Sequence, residues 1–298
     1  MGVYTEYIDQ IKIFPAGGSL LHLEVRNAWL SVERLKPMPQ LTSLTLEFIR
    51  LDDENLAKMN QCFPSLQVLN LVGVGGLKQP EIRLSQLKVC HWTVSNFPCS
   101  LAIHAPHLTE LKLQCVEPQI LLLETPLLSH LDLKIRKPGL ILNPEKIQNL
   151  KFIRLESFCV YSLAHVLQNK SVERMELDVP QPIEIENSFT IINLVCAFPN
   201  IHDLALGPGA WVKLENSFVN EWIDQRLEWW CLRKLMVRLP LDYDFAFLCF
   251  MLSLCVPFSE VILLIHGDVP IAVKNHVISR CKSNFPKIIW KWGMWRVT

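Results

Sequence analysis

The chain has 298 residues, half of them hydrophobic, which is enough to bury a large core and argues against a disordered protein. Lysine plus arginine and aspartate plus glutamate both number 29, so no net charge draws the chain to nucleic acid or to an anionic membrane. The longest apolar run, Phe245 to Val256, is too short to span a bilayer and no signal peptide is visible, so we expect a cytoplasmic or nuclear protein without membrane or nucleic-acid partners.

Ten cysteines raise the question of disulfide or zinc chemistry. No two of them form a C-x-x-C pair, so the usual zinc signature is missing. Most lie in apolar surroundings, such as Cys196 in LVCAF and Cys249 in FLCFM. We therefore expect reduced, buried thiols that act as small core residues.

One spacing, L-x-x-L-x-L, returns along almost the whole chain at intervals of roughly 24 residues, which is typical of the leucine-rich repeat. Its first positions are Leu20, Leu41, Leu66, Leu84, Leu108, Leu128, Leu150, Val172, Ile201, Leu232 and Phe258. In five units a proline stands two residues before this position: Pro39, Pro64, Pro106, Pro126 and Pro199. Since proline cannot donate to a sheet ladder but fixes a turn, these prolines predict where the chain enters each strand.

The L-x-L pair of each unit alternates with period two, so both apolar side chains face one side of a strand. One strand cannot bury that face alone, and successive units therefore stack into a sheet over a shared core. The sequence predicts an α/β leucine-rich-repeat solenoid with a parallel concave sheet and an irregular convex side of helices and short strands. We expect a single domain over residues 1–298, with repeats over about 20–265 and a C-terminal cap over about 266–298.

The segments between the ladder strands differ along the chain. Asp52 begins a predicted helix with an acidic first turn. In the middle units, short apolar alternations predict convex strands at Ile82/Leu84, Leu101/Ile103, Leu121/Leu123 and Leu140/Leu142. Helical spacing follows over Tyr161–Leu167, Ser188–Phe198, Glu215–Trp230 and Asp242–Cys255.

Residues 44–133 carry a more specific likeness, through runs such as FPSLQVLNLVGVGGL, SLAIHAPHLTELKL and LLLETPLLSHLDL. With the later VILLIHGDV and the tryptophan-rich end, this stretch resembles plant F-box/leucine-rich-repeat proteins. The resemblance implies repeats that present a protein target, while an N-terminal F-box would bind a Skp1-type adaptor of a cullin-based ubiquitin ligase. An F-box opens with a pattern such as L-P-x-x-L-L-x-x-I, which is not found near residue 1, so the resemblance implies the recognition half only.

No constellation indicates catalysis or a bound group. The histidines are scattered, and neither H-E-x-x-H nor G-x-S-x-G occurs. The run Gly73-Val74-Gly75-Gly76 weakly suggests a phosphate loop, but no G-K-[ST] follows and a turn after a strand needs such glycines anyway. We expect no catalytic residue, no metal site and no cofactor.

The middle residue of each L-x-L is predicted to face solvent on the concave side, and these positions form the candidate binding surface. They are Glu24, Thr45, Asn70, Lys88, Lys112, Asp132, Arg154, Glu176, Ala205, Met236 and Ile262. From Lys112 to Glu176 the sign of the charge alternates, which predicts a self-neutralising ladder and disfavours a nucleic-acid groove.

After Glu176 the outward positions become apolar, and most of the tryptophans fall in the same last third of the chain. One interpretation is a cap, in which the tail 289–297 folds back over the last strand. The other is a contact surface for a partner protein, because tryptophan is enriched in binding hot spots. The candidate partner-binding residues are Met236, Ile262, Trp229 and Trp230.

The first hypothesis for function is a non-catalytic module that binds a protein target, with a Skp1-type adaptor as a further partner only if an F-box is present elsewhere. The alternatives are a small-molecule or hormone sensor with a pocket in the concave face, and a free-standing repeat scaffold without ligase coupling. A hydrolase or transferase on such a solenoid has the least support.

Overall fold

The computed structural model describes residues 20–30, 37–96, 98–136, 139–168, 170–180, 189–220 and 232–296. The chain forms two compact units, Met1–Leu150 and Lys151–Thr298. In both, parallel strands recur at the spacing of the leucine pattern, with helices or short strands between them, so the predicted α/β leucine-rich-repeat class is confirmed. A single domain over residues 1–298 stays a prediction.

The first unit consists mainly of strands. In chain order its elements are β1 (His22–Arg26), β2 (Ser43–Glu47), α1 (Asp53–Cys62), β3 (Val68–Val72), β4 (Glu81–Arg83), β5 (Val89–Asn96), β6 (Ser100–His104), β7 (Glu110–Val116), β8 (Ile120–Glu124), β9 (His130–Lys134), β10 (Leu140–Leu142) and a 3-10 turn (Pro144–Lys146). Strands β1, β2, β3, β5, β7 and β9 pair in this order into a parallel sheet. Strands β4, β6, β8 and β10 form a second parallel sheet, which contains the predicted short convex strands.

The predicted prolines lie inside tight turns that lead into the ladder strands. Before β7, the N–H of Leu108 donates to the carbonyl of Ala105 at 3.0 Å, with Pro106 at the second position of the turn. Proline is favoured there because its ring fixes φ near the value that a type I turn requires. The same hydrogen bond, from each turn's fourth residue to its first, closes the turns of Pro39, Pro64, Pro126 and Pro199. The predicted role of these prolines is confirmed.

The fourth unit has a different register from the predicted one. The turn before β5 is closed by the N–H of Leu87, which donates to the carbonyl of Leu84 at 3.2 Å. Leu87 therefore occupies the first ladder position, and the prediction of Leu84 is wrong. The two core residues that follow are Cys90 and Trp92, both fully buried. A thiol and an indole thus replace the usual leucines in this unit.

This shift also changes the outward residue of β5. His91 pairs with Asn70 of β3 on one side and with Lys112 of β7 on the other. The prediction of Lys88 as the outward residue of this unit is wrong. The error has a simple origin, since Leu84, Leu87 and Val89 also match the leucine spacing.

The second sheet of the first unit buries the predicted residues in three of its four strands. Ile82, Leu101 and Leu121 are fully or almost fully buried, as expected from their alternation. In β10 the residue that pairs with Leu121 is Ile141, which is buried. The prediction that Leu140 faces the core is wrong, because Leu140 is exposed.

The second unit alternates strands with helices. In chain order its elements are β11 (Phe152–Glu156), α2 (Val160–Val166), β12 (Arg174–Asp178), α3 (Ile191–Ala197), β13 (Asp203–Leu206), α4 (Pro208–Asn220), β14 (Lys234–Leu239), α5 (Phe245–Ser253), β15 (Glu260–His266), α6 (Ile271–Asn284) and β16 (Ile289–Trp295). The six strands pair in chain order into a parallel sheet. Large side chains of the helices fill the core behind it, for example Trp211, whose ring centre lies 4.7 Å from that of Phe247.

Helices occur where the apolar spacing predicts them, with capping residues at several starts, whereas α6 lies outside the predicted helical segments. Asp52 accepts the N–H of Asn55 at 2.7 Å and caps α1, as expected from the acidic run. Helix α4 begins at Pro208, before the predicted start at Glu215, because proline is tolerated in the first turn of a helix. The remainder of that prediction, 221–230, lies outside the described residues.

The residues predicted to form a C-terminal cap continue the repeat pattern instead. Helix α6 is followed by β16, which pairs in parallel with β15 along its whole length. The tail therefore adds a strand at the edge of the sheet, and the hypothesis that it folds back over the last strand is wrong. Phe258 also departs from the ladder, since it is 73% exposed and adopts a positive φ of 66°.

The cysteines of the described ranges are free thiols in a range of environments. Cys62, Cys90 and Cys281 are buried, as expected for small core residues. Cys196, by contrast, is exposed, although its neighbours in sequence are apolar. The prediction of burial is therefore wrong for Cys196, because an apolar stretch of a helix does not bury every residue of its circumference.

Candidate protein-binding face

The candidate site lies on the parallel sheet of the second unit, on the face opposite to the core; we name this side the open face. Ala205 of β13 pairs with Met236 of β14, and Met236 pairs with Ile262 of β15. These side chains therefore stand side by side, at the strand spacing of about 4.8 Å. Leu264 follows on the same face, two residues along β15. All four are half-buried, and together they form the apolar strip.

Ion pairs border the apolar strip on the side where the strands begin. The Arg174 guanidinium lies 3.7 Å from Asp203, and the Lys234 ammonium lies 3.6 Å from Glu260. Lys291 of β16 donates to the other oxygen of Glu260 at 2.6 Å, and this bond holds the pKa of the Glu260 carboxyl below its usual range. Such exposed pairs contribute at most about 1 kcal/mol each. Their main effect is to leave little unshared charge beside the strip.

The predicted alternation of charge is present within each unit. In the second unit, Arg154 lies 3.7 Å from Glu176. In the first unit, Lys112 lies 4.0 Å from Asp132. Both faces therefore neutralise much of their own charge, which disfavours binding to a phosphate backbone of one sign.

A shallow cleft of ≈ 60 Å³ opens beside Met236, between Glu176, Asp178, Gly207 and Arg238. Pockets that enclose small molecules typically measure about 300–1,000 Å³. This cleft has room for a few water molecules or for the end of one side chain. The volume of this cleft is too small to enclose a hormone-sized molecule.

The carboxylate at the edge of this cleft has a structural role. Oδ1 of Asp178 accepts the N–H groups of Val179, Gly209 and Ala210 at 2.9, 3.1 and 3.4 Å, and so caps the start of α4 from the end of β12. Burial raises the pKa of Asp178, while the three N–H donors act in the opposite direction. Gly207 is required here, because a Cβ at this position would lie 2.1 Å from the Asp178 carboxyl carbon.

A larger recess of ≈ 290 Å³ lies between the turns that precede β15 and β16. Leu252, Val256, Phe285 and Ile288 contribute to its walls, which are mainly apolar. Its volume approaches that of a small-molecule site. Its position differs from the concave pocket that the sensor hypothesis predicts, because these lining residues precede the strands.

The tryptophans of the tail make contacts within the second unit. Trp290 and Trp292 stack with their ring centres 4.9 Å apart. Nε1 of Trp295 donates to the carbonyl of Leu239 at 2.8 Å, and its ring meets His266 edge-on at 4.8 Å. Trp295 therefore packs across the ends of β14 and β15. Met236 and Ile262, nearer the middle of these strands, keep part of their surface exposed.

Two of the four candidate residues lie together on the open face, and the other two are not described. Met236 and Ile262 are direct neighbours, as predicted from the ladder. Trp229 and Trp230 lie outside the described residues. The sequence analysis missed Leu264, which lies two residues after Ile262 and therefore on the same side of the strand, so the period of two could have identified it.

The corresponding face of the first unit is polar. Nδ2 of Asn70 donates to the Thr45 hydroxyl at 3.1 Å, and the His91 ring lies 2.7 Å from the Glu110 carboxylate. These residues satisfy one another across neighbouring strands. The second unit therefore carries the better apolar contact surface.

The described ranges contain no group of three or more histidine, cysteine, aspartate or glutamate side chains placed to hold a metal ion. Within the described ranges, His104 contacts two carboxylates and lies 3.1 Å from Glu81 and 2.7 Å from Glu124. These residues belong to neighbouring strands of the second sheet, where they form ion pairs. Among the helices of the described part, none is both long enough and apolar enough to cross a bilayer.

Ladder strands in parallel register, buried leucine positions and turns with proline define the chain as a leucine-rich-repeat protein. No family model matches the chain. It is 40% identical, over 286 residues, to the F-box/LRR-repeat protein At4g29420 of Arabidopsis thaliana. The match covers 93% of this chain and 64% of the relative, so the chain spans less than two-thirds of the relative's length. The resemblance of the repeat region to plant F-box/leucine-rich-repeat proteins is confirmed.

Proposed function

We propose that the chain is a non-catalytic recognition module, the target-binding part of an F-box/leucine-rich-repeat subunit of a cullin-based ubiquitin ligase. Its target is a protein that covers the apolar strip. The name of the Arabidopsis relative supports this proposal, and more than a third of that relative lies outside the match. Binding of a Skp1-type adaptor depends on an F-box elsewhere in the protein.

The observation that carries this proposal is the row of half-buried apolar side chains on a sheet that is ion-paired where its strands begin. Met236 and Ile262 lie side by side with part of their surface exposed. Covering each of them would contribute at most about 1 kcal/mol, because full burial of such a side chain contributes about 1.5–3 kcal/mol and most of each side chain is already buried. Methionine also adapts its shape to a partner, since its side chain is unbranched and flexible.

The charge pattern of the open face favours a protein over a nucleic acid. Arg154 and Arg174 both contact Glu176, at 3.7 and 2.9 Å, so their charges are shared within the face. A groove for a phosphate backbone needs cations that are free to replace counterions. A folded or extended protein partner needs only an apolar centre with a polar rim.

A photo-crosslinker at Met236 tests the proposed target site. Benzoylphenylalanine at this position should crosslink a discrete protein from a plant extract, whereas the same group at Thr45, on the polar face of the first unit, should not. Ile262→Glu should remove the crosslinked product while leaving the melting temperature nearly unchanged. Equal products from positions 236 and 45, or no effect of Ile262→Glu, would contradict the proposal.

Ligase coupling needs a separate experiment. The transcript that encodes this chain should contain an F-box sequence upstream of Met1, and the protein with that sequence should retain a Skp1-type adaptor in a pull-down. Met236→Glu should leave adaptor binding intact and abolish ubiquitination of the crosslinked target. If no F-box is encoded, the ligase part of the proposal fails, and a free-standing repeat scaffold remains.

A further inference from the structure

A second surface, in the first unit, lies just beyond the ends of β1, β2 and β3. Asn27, Phe48 and Gly73 follow these strands and have positive φ angles of 51°, 53° and 66°. Each donates its N–H to the last residue of a neighbouring strand or to Thr93 of β5. The three residues therefore occupy equivalent places in successive repeats. A positive φ suits glycine and asparagine, but it is unfavourable for a bulky residue such as phenylalanine.

Phe48 is 59% exposed, so burial of its ring does not account for the unfavourable backbone. Ile49, the next residue, is buried and anchors the chain on the core side. The fold thus holds an aromatic ring towards solvent at a position where asparagine or glycine would be easier to accommodate. Residues with such a strained backbone cluster at active sites and ligand-binding sites.

The next equivalent row consists of Trp29, Arg50 and Gly75, which are joined by bridges between neighbouring segments. Trp29 is 48% exposed, and the Arg50 guanidinium carbon lies 5.8 Å from the centre of its ring. Within the described part of the chain, Arg50 forms no salt bridge with a carboxylate. Its charge is therefore available to a partner, next to an exposed indole.

Two glycines bring bare backbone to the same surface. Gly73 lies under the Phe48 ring, where a Cβ would approach that ring to 2.4 Å. Gly75 differs, because a Cβ there would meet nothing within 4 Å. Packing against Phe48 and a positive φ explain why residue 73 is a glycine. Neither reason applies to Gly75. The exposed backbone at Gly75, beside Arg50, can instead be explained by the close approach of another chain.

We propose that Trp29, Phe48 and Arg50, with the bare backbone at Gly75, form a docking surface for an extended segment of a partner protein. Tryptophan and arginine are the residue types most enriched in binding hot spots. The surface is independent of the apolar strip, which belongs to the second unit. Each proposal can therefore fail without the other.

The charges around this surface define the chemistry of the segment. Arg50 would pair with one carboxylate, while Trp29 and Phe48 would cover apolar side chains next to it. Asp52 and Asp53 follow closely in sequence, and both are occupied: Asp52 caps α1, and Asp53 accepts the N–H groups of Lys78 and Gln79. Their charges disfavour a run of acidic residues or of phosphates. The expected segment has one aspartate or glutamate between apolar residues.

Selection from a random peptide library against the purified chain tests this inference. We expect the enriched peptides to share a single acidic residue flanked by apolar ones. A selected peptide, synthesised with a fluorescent label, should bind Arg50→Glu at least about tenfold more weakly than the unchanged chain. Replacing its acidic residue by lysine should restore binding to Arg50→Glu.

The chain offers a matched pair of phenylalanines for a control. Phe258 is also exposed and also has a positive φ, of 66°, but it lies in the second unit. Phe48→Gly and Phe258→Gly should both keep or raise the melting temperature, because glycine relieves the same backbone strain. Only Phe48→Gly should weaken peptide binding, by about tenfold or more. Gly75→Val should weaken binding without lowering the melting temperature.

Several results would overturn the inference. These are a selection without enriched peptides, peptides that bind Arg50→Glu unchanged, and equal effects of Phe48→Gly and Phe258→Gly. A single-stranded oligonucleotide that competes with the peptide would assign the surface to nucleic acid instead. If sedimentation shows a dimer that Arg50→Glu dissociates, the occupant is a second copy of the chain.

Discussion

Two neighbouring residues of β7 test the register of the parallel sheet, because one faces the core and the other faces solvent. Leu111 pairs with Cys90 and Leu131, and all three are 0% exposed. Lys112 points away from the core of the first unit; its side chain is 34% exposed and its Nζ lies 4.0 Å from Asp132. Replacing each by alanine should therefore have very different effects.

The expected loss for Leu111→Ala has two parts. The substitution removes three carbon atoms from a closed core, which costs about 2.4 kcal/mol of transfer free energy at about 0.8 kcal/mol each. The cavity that remains adds to this loss, because strands on both sides limit relaxation, and leucine-to-alanine changes in rigid cores cost up to about 5 kcal/mol. We expect about 2–5 kcal/mol for Leu111→Ala. Lys112→Ala should cost less than about 1 kcal/mol, as expected for a partly exposed ion pair.

Urea unfolding, followed by far-ultraviolet circular dichroism, measures both losses on the same scale. Leu235→Ala and Lys234→Ala form the matched pair in the second unit, where Leu235 is fully buried and the Lys234 side chain is 42% exposed. In both pairs the leucine variant should lose several times more stability than the lysine variant. Equal losses within a pair would show that the register deduced here is wrong.

Three further outcomes are expected. If the chain is one domain, Leu111→Ala and Leu235→Ala shift a single common urea transition; two transitions that shift separately would show independent units. Burial raises the pKa of Asp178, so its contribution to stability is present below the unfolded pKa and is lost as pH rises through the folded one. Asp178→Asn, which keeps a capping oxygen, should therefore gain stability relative to the unchanged chain as the pH rises from acidic to neutral in urea melts, and a constant difference would contradict this. Burial also raises the pKa of the Cys90 thiol to about 12, so a thiol reagent at neutral pH should modify the exposed Cys99 first and Cys90 only after unfolding. Equal rates of modification would disprove that burial.

The ladder strands could be predicted because the core imposes a strict rule on the sequence. Every unit must bury the same two positions against its neighbours, so leucine or a close substitute returns at a fixed spacing. The turn prolines follow a second local rule, since proline fits the second position of a type I turn. Both rules concern residues that are close in sequence, and both were therefore readable without the structure.

The errors lie where one pattern fits two registers. Leu84, Leu87 and Val89 match the leucine spacing, although Cys90 and Trp92 are the residues that enter the core. The side chain of Trp92 fills the space of a leucine only because the neighbouring strands accommodate it, which is a tertiary effect. In β10 all three residues are apolar, so alternation could not show that Ile141 is the one that faces inward.

The candidate surfaces were harder to predict because solvent-facing residues obey no packing rule. Met236 and Ile262 were accessible to sequence analysis, since they stand in the middle of an L-x-L pair whose core partners fix their direction. The surface around Phe48 follows a strand end, where no alternation applies, and its positive φ appears only in the structure. Its only signal in the sequence is a large aromatic residue at a place where the next repeat has Gly73.

A positive φ at an exposed phenylalanine does not by itself indicate a binding site, as the comparison of Phe48 with Phe258 shows. Both residues carry the same backbone strain and a similar exposed ring. Phe48 differs because Trp29 and Arg50 stand beside it and Gly75 leaves the backbone open. In a repeat protein the core fixes where each strand ends, but it leaves the chemistry of those ends free. Packing of the core therefore does not explain why an aromatic ring, a cationic side chain and exposed backbone lie together at the strand ends of adjacent repeats. Binding to another chain would explain it.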